Sequence, residues 1–168
     1  MQRRALLLIA LVAETLIFGR ASAQTPPSID SNKITQAEAL SLAQAAIQAC
    51  KTHGMSPNVQ VADADGHLRV ALASENATLS GLVSAPQKVA SVLAFQTSTR
   101  KLQEKASSDP SFAAMYGKDP RYRFSPGGLP IYKDGNFVAV IAVGGGGSFD
   151  ESCAAAALES LPWAKTSN

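Results

Sequence analysis

Gly144 to Gly147 form an unbroken glycine run that leads into Ser148, Asp150 and Glu151. Glycines that open a helix can cradle phosphate, because free backbone N–H groups point at the anion. The neighbouring residues argue against that chemistry here. No lysine follows the run, as a phosphate-binding P-loop requires, and the spacing and downstream acid of a dinucleotide fingerprint are absent. Asp150 and Glu151 stand where phosphate would lie and would repel it. The glycines fit a tight strand-to-helix turn with close approach of another segment. The acids then occupy the first helical turn, where the helix dipole favours them.

Other reactive side chains are sparse. The two histidines, His53 and His67, are the candidate metal ligands, but neither has a partner at His-x-x-x-His or Cys-x-x-Cys spacing. His53 falls at a helix end, and His67 follows the Asp65-Gly66 turn on the face shared with Arg69. No nucleophilic triad is recognisable. Among the carboxylates, Asp65 and Asp134 precede glycine, so turn chemistry accounts for them. Asp63, at a strand end, is not explained that way. Lys118, Arg121 and Arg123 are interleaved with Tyr116, Tyr122 and Phe124. Cations beside aromatics suit a flat, apolar ligand that carries carboxylates; a solvated loop is the plainer reading.

The elements that must position these residues begin after a leader. Arg3 and Arg4, the apolar run from Ala5 to Val12, and Ala21-Ser22-Ala23 predict a secretory signal peptide over residues 1–23, cleaved before Gln24. The apolar run is far shorter than the ~18 residues a membrane span needs. Three of the 15 basic and one of the 13 acidic residues fall in that leader, so the remainder carries no formal net charge. With no basic stripe either, nucleic acid is not an expected partner. Residues 24–33 read as a flexible tail, 34–162 as a single domain and 163–168 as a C-terminal tail. Cys50 and Cys153 sit at core-like helical positions. They read either as buried free thiols or, in an exported protein, as a disulfide.

Thr35 and Glu38 form a capping box for a helix through Cys50, which Gly54 can end. Alternating Val59 and Val61, then Leu68, Val70 and Leu72, flank Asp65-Gly66 and predict a hairpin. Pro86 suits the first turn of a helix over about Gln87 to Lys105. A short helix and loop follow over Phe112 to Arg123. Leu129 to Tyr132 and Phe137 to Val143 predict a second hairpin around Asp134-Gly135. The latter strand is apolar on both faces, so something must cover each; another subunit or a ligand is one candidate for the second cover. Ser148 can cap a last helix over Glu151 to Leu161. The order α-β-β-α-β-β-α predicts an α+β sandwich, a single antiparallel sheet of four to five strands with helices packed on it.

In this order the chain carries VADADGHL (61 to 68), Lys88-Val89-Ala90, Phe95, Gly127-Gly128-Leu129-Pro130-Ile131, Asp134-Gly135 and VAVIAVGGGGSFDE (138 to 151). The ordered set resembles the GlcG/HbpS haem-binding family, also called the haem-degrading domain family, over roughly Ile34 to Leu161. Val138, Ala139, Ala142 and Val89 depart from the family's usual residues. The resemblance implies the same sandwich, often oligomeric, and haem binding in some members, with sensing, storage or weak degradation as roles. A porphyrin needs an apolar slot, cations for its propionates and usually an axial ligand. Lys88, Arg121 and Arg123 are the propionate candidates. His67, His53, Tyr116 or a hydroxyl of Ser91, Thr97 or Thr99 are the candidates for the iron. Two alternatives stand beside this reading. One is a small-carboxylate, glycolate-like ligand in a pocket of Asp63, Lys88, Gly127 and Gly128. The other is a sensor or transporter partner that docks on the strand Phe137 to Val143 or its edge.

Overall fold

The chain folds as Thr35 and Glu38 dictate at its start. In the computed structural model, which describes residues 33–167, the Thr35 side chain accepts the Glu38 N–H while Glu38 Oε2 accepts the Thr35 N–H. The signal peptide expected over 1–23 and residues 24–32 of the tail lie outside the described residues. Helix α1 (Gln36–Lys51) buries Ala39, Leu42, Ala43, Ala46 and Cys50. The chain then turns through Gly54, in the left-handed region at φ +69°.

Strands β1 (Asn58–Asp63) and β2 (Leu68–Ala73) form the first hairpin, and β3 (Gly128–Lys133) and β4 (Asn136–Gly144) the second. In the second turn both Asp134 and Gly135 take positive φ, as a two-residue hairpin demands. Pairing of β1 with β4 joins the hairpins into one antiparallel sheet of order β2-β1-β4-β3. The α+β sandwich is therefore present, with four strands.

Helices cover both faces. Val59, Val61, Ala139, Ile141 and Val143 pack toward α1 and the last helix α5 (Asp150–Leu158). Ala62, Val140 and Ala142, on the alternate face, pack against Val89 and Val92 of α2 (Leu79–Phe95). The two-sided apolar character of β4 is thus satisfied inside one chain. No second subunit or ligand is needed to cover it. Its edges are also filled, by β1 on one side and β3 on the other, so docking on β4 or its edge is not available.

Three local expectations are corrected. The middle helix does not start at Pro86. It starts seven residues earlier, at Leu79, where Thr78 caps it by accepting the Gly81 N–H, and Pro86 lies inside it at the loss of one backbone bond. Nor does it run to Lys105. Gln96 adopts a left-handed conformation at φ +49°, and Ser98 caps a separate helix α3 (Thr99–Ser108). The short α4 (Pro110–Tyr116) follows, with Asp109 accepting the Ser111 and Phe112 N–H groups at its start. Ser148 does not cap α5, which is preceded by a 3-10 turn at Gly147–Phe149 and ends at Leu158 rather than Leu161.

Cys50 and Cys153 form a disulfide that ties α1 to α5. Beyond α5, Trp163 Nε1 donates to Glu38 Oε1 at 3.0 Å, and Lys165 exchanges backbone hydrogen bonds with Tyr132.

Ala139 is 0% exposed and faces the α1–α5 layer. Ala139→Glu should therefore destabilise the monomer itself, by more than about 3 kcal/mol, because it buries an unpaired charge. Urea denaturation measures this. A folded, wild-type-stable variant that merely loses oligomers in sedimentation would contradict the packing described.

Candidate functional site

Lys88 lies on α2 with its side chain directed past the end of β4. It is only 1% exposed. Its Nζ donates to Asp150 Oδ2 at 2.6 Å and to the Val143 carbonyl at 2.7 Å. Asp150 Oδ1 in turn accepts the Gly146 N–H at 2.6 Å. Burial pushes the Lys88 ammonium below its ordinary pKa, against the opposing pull of the Asp150 hydrogen bond and charge. Gly127 makes this geometry possible: its φ is +128°, and a Cβ there would stand 2.7 Å from Lys88 Nζ and from the Val143 oxygen. At Gly128 a Cβ would meet Thr99 Cγ2 at 2.8 Å. The Thr99 hydroxyl is itself buried and accepts the Gly128 N–H at 2.9 Å, so it anchors the start of β3.

A cleft of ≈ 370 Å³ opens above the Lys88–Asp150 pair. Thr78, Ser80, Ser84, Arg123, Ser125 and Gly147 line it. The lining is hydroxyls and charge rather than apolar walls.

The aromatic residues of the sequence converge at a second place, with Arg121 but without Arg123, which lines the cleft. Phe95, at the C-terminal end of α2, is the hub. Its ring centroid lies 5.1 Å from Tyr116, 5.3 Å from Tyr122, 5.5 Å from Phe112 and 6.0 Å from Phe124, all edge-on. The Arg121 guanidinium stands 5.1 Å from the Tyr122 ring centre and also pairs with Asp119 at 2.6 Å. Lys105 lies 4.7 Å over Phe112. Phe112 and the hub role of Phe95 escape a reading of spacing alone, because the rings meet only after α2 stops at Gln96 and the chain doubles back through α3 and α4.

Asp63 belongs to neither place. It pairs in register with Ala139, several residues along β4 from Val143, so it and Lys88 do not share a pocket. Its Oδ1 accepts the N–H groups of Asp65 and His67, and its Oδ2 accepts from Arg69 at 2.7 Å. Burial alone would raise its pKa. The His67 N–H and the Arg69 guanidinium outweigh that and hold the carboxyl below the usual range. Asp63, Asp65 and His67 place ligand atoms within 4.8 Å of one another. The Asp63 oxygens already serve the turn, and Asp65 pairs with Lys33 at 2.7 Å. The His67 side chain is 71% exposed, 3.3 Å from Asp63. His53 stacks on Phe149, with centroids 4.1 Å apart. Neither histidine lines the cleft or joins the aromatic cluster.

Two predictions follow from these charges. Asp150→Ala should destabilise the fold by about 3–5 kcal/mol, since it strands a buried ammonium. The double variant Lys88→Met/Asp150→Leu should recover most of that loss in urea denaturation; equal losses in both variants would contradict the pairing. The Asp63 pKa is lower folded than unfolded, so its stabilisation is complete above the unfolded value and is lost as pH falls through the folded one. Asp63→Asn should cost about 1–3 kcal/mol at pH 7 and flatten the stability profile below about pH 4. An unchanged acid limb would refute the role.

With this geometry in view, the chain compares with known proteins as follows. No curated protein matches it significantly. A crystal structure of HbpS superposes with a TM-score of 0.70 at 27% identity, covering 83% of this chain and 98% of that one. The PduOC–haem complex gives a TM-score of 0.73 at 20% identity, covering 81% of this chain and 99% of that one. The Klebsiella pneumoniae protein ORFY gives 0.71 at 20% identity, with 82% and 97% covered. At 20% identity these two show the fold alone. A family model described as haem degrading protein HbpS-like matches residues 34–159, most of the chain. On that match, and on the sandwich that carries it, the chain belongs to the HbpS-like haem-degrading protein family.

Proposed function

We propose that the protein is an exported haem-binding protein that holds haem against the aromatic cluster around Phe95. The observation that carries this reading is the convergence of five rings and two cations on one surface of an HbpS-like chain. Flat apolar rings suit a porphyrin face, and an exposed guanidinium suits a propionate. The residues present fit the group in three respects. Phe95, Tyr116, Tyr122 and Phe124 are only half-buried, so ring surface remains. Arg121 is exposed beside them; its Nε and Nη2 are given to Asp119, and its Nη1 has no partner among the described residues. Neither the Tyr116 nor the Tyr122 hydroxyl makes a hydrogen bond among the described residues, which leaves a phenolic oxygen for iron, and tyrosine is an established axial ligand. When bound, haem supplies redox-active iron. The chain supplies the apolar wall, the cation and the donor oxygen.

Tyr116 and Arg121 are therefore the residues assigned to haem. Thr99 and Lys88 hold the fold through Gly128 and Asp150 instead. A second copy lying over the half-buried rings and the exposed Met115 would close the slot, which is the homo-oligomer we propose. Export is supported by the Cys50–Cys153 disulfide, because such bonds persist in oxidising compartments. A sensor or transporter partner would meet the edge strand β2 rather than the paired strand β4.

Titration with hemin, read by absorption, tests the assignment. A saturable, shifted Soret band is expected, and it should change position in the Tyr116→Phe/Tyr122→Phe double variant. Arg121→Ala should weaken binding by about tenfold, the worth of one charge-assisted hydrogen bond. A spectrum matching free hemin, or one indifferent to all three substitutions, would overturn the reading.

A further inference from the structure

We propose that the cleft above Lys88 and Asp150 is a second, independent ligand site, one that binds a small oxyanion, a carboxylate or a phosphate, through Arg123. Charge is the first argument. The Lys88 ammonium is matched by Asp150, whereas the Arg123 guanidinium forms no ion pair among the described residues and donates only from Nε, to Ser125 Oγ at 3.3 Å. One positive charge on the cleft wall is therefore left without a counter-ion.

Arg123 is also held in place. Its backbone N–H donates to Ser91 Oγ at 2.8 Å, and that hydroxyl donates to the Gln87 carbonyl at 2.9 Å, so the residue is tethered to α2. At the start of α2, the hydroxyls of its cap Thr78 and of Ser80 lie 3.0 Å apart and also line the cleft. This 17-residue helix has no acidic side chain in its first turn, so its positive end is uncompensated.

The floor supplies the independent observation. The Lys88 ammonium has three protons, and the two acceptors it reaches, Asp150 Oδ2 and the Val143 carbonyl, use two of them. A buried cation thus lines the cleft with one proton unused. Asp150 does not oppose an anion strongly, since one oxygen is occupied by Lys88 and the other by the Gly146 N–H. A hydroxyl-lined space of ≈ 370 Å³ suits a small polar ligand and lacks the apolar walls a porphyrin needs.

The test is a two-dimensional amide NMR titration of the purified protein with inorganic phosphate, acetate and, at matched ionic strength, chloride. The expected result is a saturable shift of the Gly145, Gly147 and Ser80 amides with phosphate or acetate but not with chloride. The tighter of the two assigns the ligand to the phosphates or to the carboxylates. Arg123→Gln, whose own spectrum reports that it is folded, should bind at least about tenfold more weakly. Lys51→Gln, an equal change of charge on α1, should titrate as the wild type does. Shifts no greater than those with chloride, or an unchanged affinity in Arg123→Gln, would overturn the proposal. The outcome is separate from the haem reading, because a Soret band reports on the aromatic surface and these amides report on the cleft.

Discussion

The ion pair between Lys88 and Asp150 is the constraint on which the rest of the structure turns. It joins α2, on one face of the sheet, to the first turn of α5, on the other, around the end of β4. Removing two charges from water is costly, and a buried pair is tolerated only when further hydrogen bonds complete it. Here the Val143 carbonyl and the Gly146 N–H do so. The geometry in turn forbids a side chain at Gly127 and folds the glycine run tightly over the pair. The grouping of a glycine loop, an acid and a lysine is thus architecture first, and the cleft is the space that this architecture leaves.

A second clamp acts on the opposite layer. The buried residues of α1 and α5 include Ala39, Ala43, Ala46, Ala154 and Ala157, and alanines bury little apolar area per residue. The Cys50–Cys153 disulfide supplements it. The two cysteines lie 103 residues apart, and closing a loop of about that length removes unfolded-chain entropy worth about 4–5 kcal/mol. A covalent tie between α1 and α5 thus adds to the packing of this layer.

Between these clamps lie two surfaces of different chemistry. The aromatic surface around Phe95 offers polarisable rings with cations at the rim, suited to a flat apolar ligand. The cleft over Lys88 offers hydroxyls and one uncompensated guanidinium, suited to a small charged one. Both are carried by α2. The rings gather near its C-terminal end and the hydroxyls at its start, so one helix presents both surfaces.

Much of the scaffold was legible in the sequence, because local signals act over a few residues. The Thr35–Glu38 box, the Asp65-Gly66 and Asp134-Gly135 turns and the strand alternation each determine their own segment, and together they imply the α+β order. The ordered residue set from Val61 to Glu151 likewise pointed to the family. What only the tertiary structure decided were relations between segments. Lys88, read as a ligand for propionates, is neutralised by an aspartate 62 positions away. Asp63, read as part of the same pocket, is taken up by its own turn at another point along the sheet. The second cover of β4 is α2 and not another subunit, and the cysteines are paired rather than free. Each of these depends on which distant group arrives within a few ångströms, and spacing along the chain carries no record of that. The break at Gln96 belongs with them: a non-glycine residue stands in the left-handed region with its carbonyl accepting the distant Tyr132 hydroxyl at 2.9 Å, and no local preference announces it.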